Sequence, residues 1–168
     1  MSIAITLAQY LLDEAAEYDI VSHPHTESAS ATAAASRVPA DRVAKEVVLG
    51  GRDGFMLALL PASRHIQFDE LRRLLGNEVD LATEEQLETL FVDCEPGSVP
   101  APGAAYGLKV VVNDSLAQLS DMYFEAGYHC NLGPCQRDKF SEADGECEMG
   151  SPGSKHSSEQ GLGQCATG

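Results

Sequence analysis

The chain has 168 residues, 43% of them apolar, no tryptophan and a formal net charge of −15. This length suits one domain with a real core, and the charge argues against general DNA or RNA binding, which relies on Lys and Arg to neutralise phosphates. No apolar stretch approaches the roughly 20 residues that span a bilayer, and the N-terminus lacks the basic flank of a signal peptide, so we expect a cytoplasmic protein without a membrane partner.

The first part of the chain predicts helices and strands in alternation. Apolar residues recur at three- and four-residue steps over residues 3–18, which is typical of an amphipathic helix. A short strand is expected over Asp19–His23, and a second helix, opened by a hydroxyl N-cap, over Ser28–Ser36. The apolar runs 44–49 and 55–62 predict two paired strands because the glycines between them permit a tight hairpin turn. These two strands should form the centre of the sheet.

The second part predicts two helices and two more strands. The first helix covers residues 68–76 and the second covers 83–91, where Thr83 and a Gln three residues later form a capping-box pattern. A loop rich in Pro and Gly then leads to a strand over 108–114, and the segment MYFEAG, residues 122–127, predicts another strand. Strands mixed with helices predict a single α/β (mixed α+β) domain with a central mixed sheet flanked by helices.

Lys45 interrupts an apolar row. Because side chains alternate along a strand, Lys45 shares one face with Val43, Val47 and Leu49. In one interpretation the methylene stem lies along the core edge and the ammonium reaches water. In the other, Lys45 forms the wall of a pocket and its charge meets an oxygen of a ligand.

A block of arginines lies in the middle of this acidic chain. Such a block can hold one RNA end, or it can form an ordinary solvated face. Its members are Arg37, Arg42, Arg52, Arg64, Arg72 and Arg73.

Several motifs in order carry a family resemblance. They are SHPHTESASATAAASRVPADRVAKEVVL, LALLPASRHIQFDELRRLLG, LATEEQLETLFVDCEPGSVPAPGAAYGLKVVVNDSL and YFEAG. Together they resemble the YbaK/proline-tRNA-synthetase-associated family of aminoacyl-tRNA deacylases. The resemblance implies that residues 1–132 form a deacylase-like domain that hydrolyses the ester of a mischarged tRNA (trans-editing), without a metal or cofactor. Its partners would be the acceptor end of that tRNA and, in one arrangement, an aminoacyl-tRNA synthetase.

The resemblance also implies roles for two elements. Lys45 occupies the place of the family's recurrent functional lysine and is the expected catalytic residue. The loop Gly97-Ser98-Val99-Pro100 would hold the ester carbonyl and its developing oxyanion, because Gly lets a backbone approach a ligand and Pro restricts the loop's shape. The adjacent Pro100-Ala101-Pro102 departs from the family's usual pattern, which leaves amino-acid specificity open.

The segment His23-Pro24-His25-Thr26 suits a pocket rim. We expect His25, Thr26 and Ser28 to bind substrate, with Thr26 or Ser28 bonding the substrate amine. In such proteins the pocket orients the ester, and a ribose hydroxyl of the tRNA helps to activate water. Positioning and electrostatics then supply the rate, and neither His is expected to act as a general base.

Two other chemistries are weighed against this interpretation. Cys94 precedes the rigid loop and is a conceivable nucleophile, but no base is paired with it in the sequence, and Cys is commonly a small buried apolar residue. A metal site is the second alternative, although the spacing lacks the close pairs of structural zinc sites. Disulfides are not expected in a cytosolic chain. The candidate metal ligands are His129, Cys130, Cys135, Cys147, His156 and Cys165.

Residues 133–168 change character and predict a disordered tail. They carry almost no aliphatic pattern, and four of the five cysteines lie at or after Cys130. One codon choice for residues 133–150, read one base later, encodes VHVSGTSFQKLMANAKW, which is the kind of strand and helix that closes this family's fold. The sequence therefore suggests a one-base insertion near the Leu132 codon.

The sequence leaves two further functional alternatives open. The chain could be a non-catalytic module that binds an amino-acid-like ligand or a synthetase partner. It could also be an inactive, truncated relative. Neither the amino acid that is removed nor the tRNA follows from the sequence.

Overall fold

A computed structural model describes residues 3–15, 18–75, 78–136, 147–150 and 153–155. The helices are α1 (Ile5–Asp13), α2 (Ala29–Ser36), α3 (Phe68–Leu75), α4 (Glu84–Leu90) and α5 (Asp114–Ala117), with a 3₁₀ turn at Gly103–Tyr106. The strands are β1 (Val21–Ser22), β2 (Ala44–Gly51), β3 (Gly54–Pro61), β4 (Arg64–Ile66), β5 (Asp80–Leu81), β6 (Lys109–Asn113), β7 (Asp121–Glu125), β8 (Asn131–Gln136), β9 (Cys147–Gly150) and β10 (Gly153–Lys155).

The main sheet has five strands in the order β5-β2-β3-β6-β9. Strands β2 and β3 pair antiparallel from Ala44 opposite Pro61 to Gly51 opposite Gly54. Gly54 has a φ of +107°, which a tight hairpin needs and which L-residues rarely adopt. Because β6 and β9 add in parallel, the predicted mixed sheet centred on the β2–β3 hairpin is confirmed. A three-stranded sheet, β1-β8-β7, and a β4–β10 pair complete the strands.

Alternation along β2 divides the core. Ala44 and Val48 face the largest apolar cluster, which α1 enters through Leu7. On the opposite face, Val43 packs with α2 and Leu49 packs with α3. The alternation predicted for this strand therefore places separate packing layers on its two sides.

Local sequence signals account for the ends of α2 and α4. The Ser28 hydroxyl accepts a hydrogen bond from Ala31 N–H at the start of α2. Thr83 and Gln86 form both bonds of the predicted capping box at the start of α4. These caps satisfy backbone N–H groups that the first helical turn leaves without partners.

Differences from the sequence expectations concern short elements. The first helix ends at Asp13 rather than near residue 18, and residues 16–17 lie outside the described residues. Strands β4 and β5, the 3₁₀ turn and α5 were not predicted, because segments of two to four residues are too short to show a hydrophobic period.

The described parts of the predicted tail, residues 133–136, 147–150 and 153–155, lie in strands. Residues 133–136 continue β8 along β7, while 147–150 and 153–155 form β9 and β10. Strand pairing uses main-chain groups that every residue except Pro carries in full, so sequence without an aliphatic pattern can still extend a sheet. The rest of the predicted tail, residues 137–146, 151–152 and 156–168, lies outside the described residues.

Within the part of the chain that the structure describes, none of the helices has the length and apolar character required to cross a membrane.

Candidate functional site

The candidate site lies where one edge of β2 loses its neighbour. At the start of β2, Tyr123 of β7 donates its N–H to Arg42 O at 2.9 Å and forms a parallel bridge with Val43. Further along, β5 pairs with Leu49 and Gly50. Among the described strands, none pairs with this edge of β2 at residues 45–47. The two flanking strands therefore leave a gap beside Lys45.

A cavity of about 260 Å³ occupies this gap. Ligand pockets in proteins typically measure about 300–1,000 Å³, so this cavity suits a group about as large as one amino acid. Its borders come from four separate chain segments, which meet only in the folded protein. The lining residues are Glu27, Ser28, Ala29, Lys45, Glu46, Gly97, Val99, Glu125 and His129.

Lys45 borders the cavity and is half-buried rather than extended into open solvent. Its Nζ donates a 2.7 Å hydrogen bond to the Arg64 carbonyl oxygen, which fixes the ammonium. Burial lowers the pKa of Lys45, because desolvation disfavours the charged form. The structure thus brings Lys45 to the same cavity as the expected loop.

The loop begins with a β-turn over Glu95, Pro96, Gly97 and Ser98. Ser98 N–H donates to Glu95 O at 2.9 Å, and Gly97 has a φ of +80°. Pro at the second position and a positive-φ Gly at the third are the signature of a type II turn. His129 also holds the turn, because its Nε2 lies 2.9 Å from Pro96 O.

The turn leaves two amide groups of the loop available. Ser98 N–H is already bonded to Glu95 O, and Pro100 has no N–H. Among the described residues, no acceptor bonds to the N–H of Gly97 or Val99. Both residues line the cavity. The donors that the loop can offer a ligand are therefore those of Gly97 and Val99.

Glu125 is a buried carboxylate held by several partners. Its Oε2 accepts a 2.8 Å hydrogen bond from Ser98 Oγ, and its Oε1 accepts one of 3.3 Å from Thr32 Oγ1. His129 Nδ1 lies 3.3 Å from Oε2, and this contact becomes an ion pair when the imidazole is protonated. These contacts fix Glu125 at the end of β7 and connect it to the loop.

Glu46 follows Lys45 but projects from the other face of β2. Its Oε1 is inaccessible to water and has no hydrogen-bond partner among the described residues. Burial and the charge of Glu125 raise the pKa of Glu46 well above its ordinary value, although nearby backbone amides of Glu46 and Glu125 oppose the shift. Glu46 is therefore a carboxyl group on the cavity wall with one oxygen, Oε1, that has no hydrogen-bond partner among the described residues.

The predicted rim residues occupy different places. Ser28 lines the cavity while capping α2. Thr26 does not line it, and its hydroxyl lies 2.6 Å from that of Thr32. His25 is exposed, with Nε2 3.3 Å from Glu95 Oε1.

Two of the four predicted loop residues, Ser98 and Pro100, do not line this cavity. Ser98 is buried and directs its hydroxyl to Glu125 rather than to the cavity. Pro100 is buried and is not among the lining residues. Gly97 and Val99 are thus the members of the predicted loop that reach the cavity.

Cys94 lies in an environment that opposes nucleophilic chemistry. Its Sγ lies 3.4 Å from Tyr106 Oη, and the residue lines a separate cavity of about 110 Å³. Burial raises the pKa of Cys94 to about 11. Because the thiolate is the reactive form, this environment disfavours Cys94 as a nucleophile at neutral pH.

The metal alternative has no support in the described part of the chain. No group of three or more His, Cys, Asp or Glu residues there is arranged to hold a metal ion. His156 and Cys165 lie outside the described residues.

Arg42 and Arg72 of the mid-chain arginine block each lie beside an acidic side chain. Arg42 Nη1 lies 3.1 Å from Asp121 Oδ2, and Arg72 Nη2 lies 3.2 Å from Asp80 Oδ1. These pairs are at the surface, where ion pairs contribute little to stability.

A larger cavity, about 350 Å³, lies at the hairpin end of β2 and β3. Its polar residues include Arg52, Asp53 and Lys109, and its apolar wall includes Phe55 and Val79. None of the predicted site residues lines it. The cavity at the β2 edge therefore combines Ser28 and Lys45 with the loop, while Gly97, Ser98 and Val99 also border the 110 Å³ cavity.

Sequence reasoning did not assign Glu46, Glu125 or His129 to the substrate site, although it named His129 as a candidate metal ligand. One signal was available, because Glu125 stands between the buried residues Phe124 and Ala126 in a predicted strand. A charged residue in an apolar strand was the feature that singled out Lys45. Glu46 gave a weaker signal, since an alternating strand is expected to present some polar residues to solvent.

Comparison with known proteins identifies the family of this chain and proteins with a similar fold. A profile of the aminoacyl-tRNA editing domain matches residues 23–132, well over half of the chain. The proline-tRNA ligase of Thermosipho africanus (strain TCF52B) is 32% identical over 81 residues, which make up 46% of this chain and 14% of that protein. The chain thus spans a small part of this relative.

Two solved structures share the fold at low sequence identity. A candidate trans-editing enzyme for prolyl-tRNA synthetase has a TM-score of 0.78 and 19% identity, covering 91% of this chain and 99% of that chain. A scaffold protein from the computational grafting of epitopes has a TM-score of 0.79 and 19% identity, covering 90% and 97%. The family resemblance seen in the motifs is confirmed, and the chain belongs to the aminoacyl-tRNA editing domain family.

Proposed function

We propose that this protein is an aminoacyl-tRNA deacylase that hydrolyses the ester bond of a mischarged tRNA. The observation that carries the proposal is the meeting of Lys45 with the Gly97 and Val99 segment at one cavity of amino-acid size. Membership of the editing-domain family and the similarity to a candidate trans-editing enzyme support it. The partner would be the acceptor end of the mischarged tRNA, presented freely or by an aminoacyl-tRNA synthetase.

In the proposed ester hydrolysis, the loop amides and Lys45 have different roles. Water adds to the ester carbonyl carbon, the bond from that carbon to the ribose oxygen breaks, and a proton passes to the ribose oxygen. The N–H groups of Gly97 and Val99 are suited to stabilise the oxyanion that develops on the carbonyl oxygen. The Lys45 ammonium, held by Arg64 O, adds a fixed positive charge for the ester or the adjacent phosphate.

Deacylation of a panel of mischarged tRNAs by wild type and Lys45→Ala tests the proposal. We expect wild type to release the amino acid from at least one member, and Lys45→Ala to lower the rate by about 10²-fold or more, as removal of an electrostatic stabiliser does. Lys109→Ala is the matched control, since Lys109 borders the other cavity. Binding of the charged tRNA end without turnover by wild type would instead identify a non-catalytic module, and absence of both would identify an inactive relative.

A further inference from the structure

Glu46 is a cavity residue to which the proposed hydrolysis assigns no role. Its carboxyl shares the cavity with Glu125, and its Oε1 has no partner among the described residues. A buried polar atom without a partner costs about 1–3 kcal/mol. A bound ligand that supplies a donor to this atom would remove that cost.

The Lys45 ammonium and the two hydroxyls near Glu125 already have partners. Lys45 Nζ bonds to Arg64 O, and among the described residues no Lys or Arg forms an ion pair with Glu46. The hydroxyls near Glu125 are directed to Glu125 itself, from Ser98 and Thr32. Apart from the backbone amides of Glu46 and Glu125, the Glu46 side of the cavity therefore presents acceptors rather than donors.

The aminoacyl group supplies the missing donor. Its α-ammonium carries three N–H donors and a positive charge. The nitrogen is joined through Cα to the ester carbonyl carbon, whose oxygen the Gly97 and Val99 amides would hold. The sequence offered Thr26 or Ser28 as the amine ligand. Thr26 does not line the cavity and its hydroxyl contacts that of Thr32, while the Ser28 hydroxyl accepts a hydrogen bond from Ala31 N–H. Glu46 and Glu125 together present carboxyl oxygens suited to an ammonium.

We propose that Glu46, opposite the fixed Glu125, receives the α-ammonium of the aminoacyl group and makes the site selective for esters with a free amino group over N-acylated ones. This inference rests on the proposed deacylase function and adds a specificity-determining residue to it. An N-acyl group removes the charge and adds bulk, and it would leave the Glu46 oxygen without its partner. Sites built around a buried polar group discriminate strongly against ligands that cannot satisfy it.

Proton release provides a readout of this contact. The charged and titratable groups around Glu46 are Glu125 at the end of β7, His129 after it, Lys45 beside it on β2 and Glu27 before α2. Because Glu125 and burial favour the protonated form of Glu46, an arriving ammonium should displace a proton from that carboxyl. Calorimetry at neutral pH in buffers of different ionisation enthalpy measures that proton, and it requires no variant.

The experiment uses two probes and two reactions. The probes are 3′-deoxy-3′-(L-alanylamino)adenosine and its N-acetyl derivative, which replace the labile ester with an amide. We expect wild type to bind the free-amine probe about tenfold to a hundredfold more tightly than the N-acetyl probe, as loss of a charge-assisted bond predicts. Glu46→Gln, which keeps the shape, should lose this preference and the proton release. Glu14→Gln, an exposed control, should keep both.

Hydrolysis separates failure of this inference from failure of the deacylase proposal. Wild type should cleave alanyl-tRNA minihelices and spare N-acetylalanyl ones. Equal cleavage of both overturns the Glu46 inference and leaves the deacylase standing. If neither is cleaved, the probe preference decides the inference alone, and the deacylase is overturned only when no member of the mischarged-tRNA panel is cleaved. Equal binding or no binding of the two probes, or a preference unchanged in Glu46→Gln, would overturn it.

Discussion

The hydroxyl of Ser98 donates a 2.8 Å hydrogen bond to Glu125 Oε2, joining the loop to the end of β7 inside the protein. Both residues are almost fully buried, with exposed fractions of 1% and 6%. A carboxylate at this depth relies on its donors, because transfer out of water is costly unless hydrogen bonds replace hydration. The bond therefore fixes the position of both the loop and the carboxylate at the cavity.

Ser98→Ala should lower the free energy of unfolding by about 1–3 kcal/mol, because it leaves a buried carboxylate oxygen short of a donor. Urea denaturation measures the change. Ser120→Ala is the matched control, since Ser120 Oγ donates to Asp121 at the surface, and it should alter stability by no more than about 0.5 kcal/mol. Equal effects of the two substitutions would show that burial does not govern the Ser98 bond.

Gly97→Ala should reduce both stability and deacylation. The φ of +80° at Gly97 places an L-residue in the left-handed region, at a cost of about 1–2 kcal/mol, and relief of this strain would displace the amides at the cavity. Gly107→Ala is the matched control: its φ is +68° and open space surrounds the added Cβ. We expect similar losses in urea denaturation for both, and a lower deacylation rate for Gly97→Ala alone. A fall in rate for Gly107→Ala as large as for Gly97→Ala would refute a special role for the turn.

Glu46→Gln should stabilise the protein at high pH. The raised pKa of Glu46 means that the native state keeps a proton that the unfolded chain releases from about pH 4.3 upward. Its stabilising contribution is therefore complete below that pH and is lost as pH rises toward the folded pKa, by about 1.4 kcal/mol for each unit of elevation. Urea denaturation at pH 4 and pH 8 should show a variant that gains on wild type as pH rises. A wild type with the larger stability at pH 8 would contradict this.

Replacing residues 133–149 with VHVSGTSFQKLMANAKW should stabilise the domain. The family profile ends at Leu132, where the sequence suggests that the reading frame changes. The replacement restores aliphatic residues to β8 and removes Pro134, which lies opposite Tyr123 and cannot donate to the pairing. Each large apolar side chain that becomes buried adds about 1.5–3 kcal/mol.

Urea denaturation of the replaced chain measures this gain, with a scrambled version of the same seventeen residues as the control. Equal stability of the replaced and scrambled chains would remove the physical basis for the frame change. Resequencing the gene near the Leu132 codon decides the genetic question directly, because an uninterrupted frame as written rules the insertion out.

Long periodic elements and residues with local signals were predictable from the sequence. The β2–β3 hairpin follows from two apolar runs around Gly50, Gly51 and Gly54, and α4 follows from its capping box. Lys45 stood out because a cation in an apolar row requires a partner. The partner itself, Arg64 O, lies on β4, which is too short to show a pattern.

Tertiary pairing accounts for what the sequence did not reveal. The proximity of Glu46 and Glu125 depends on β7 running beside β2, and no local rule specifies that contact. The same holds for the gap at the β2 edge, which exists because β5 and β7 stop short of each other. Thr26 and Ser98 looked like ligand contacts in the sequence, but internal bonds to Thr32 and Glu125 occupy their hydroxyls.

The four segments that border the cavity are distant in sequence and touch no common ligand until the domain is assembled. In a partly folded molecule these segments are apart from one another, so no part of the site can bind a ligand. The proposed deacylation activity should therefore be lost at the same denaturant concentration at which the whole domain unfolds. Turnover would then report that the fold is complete.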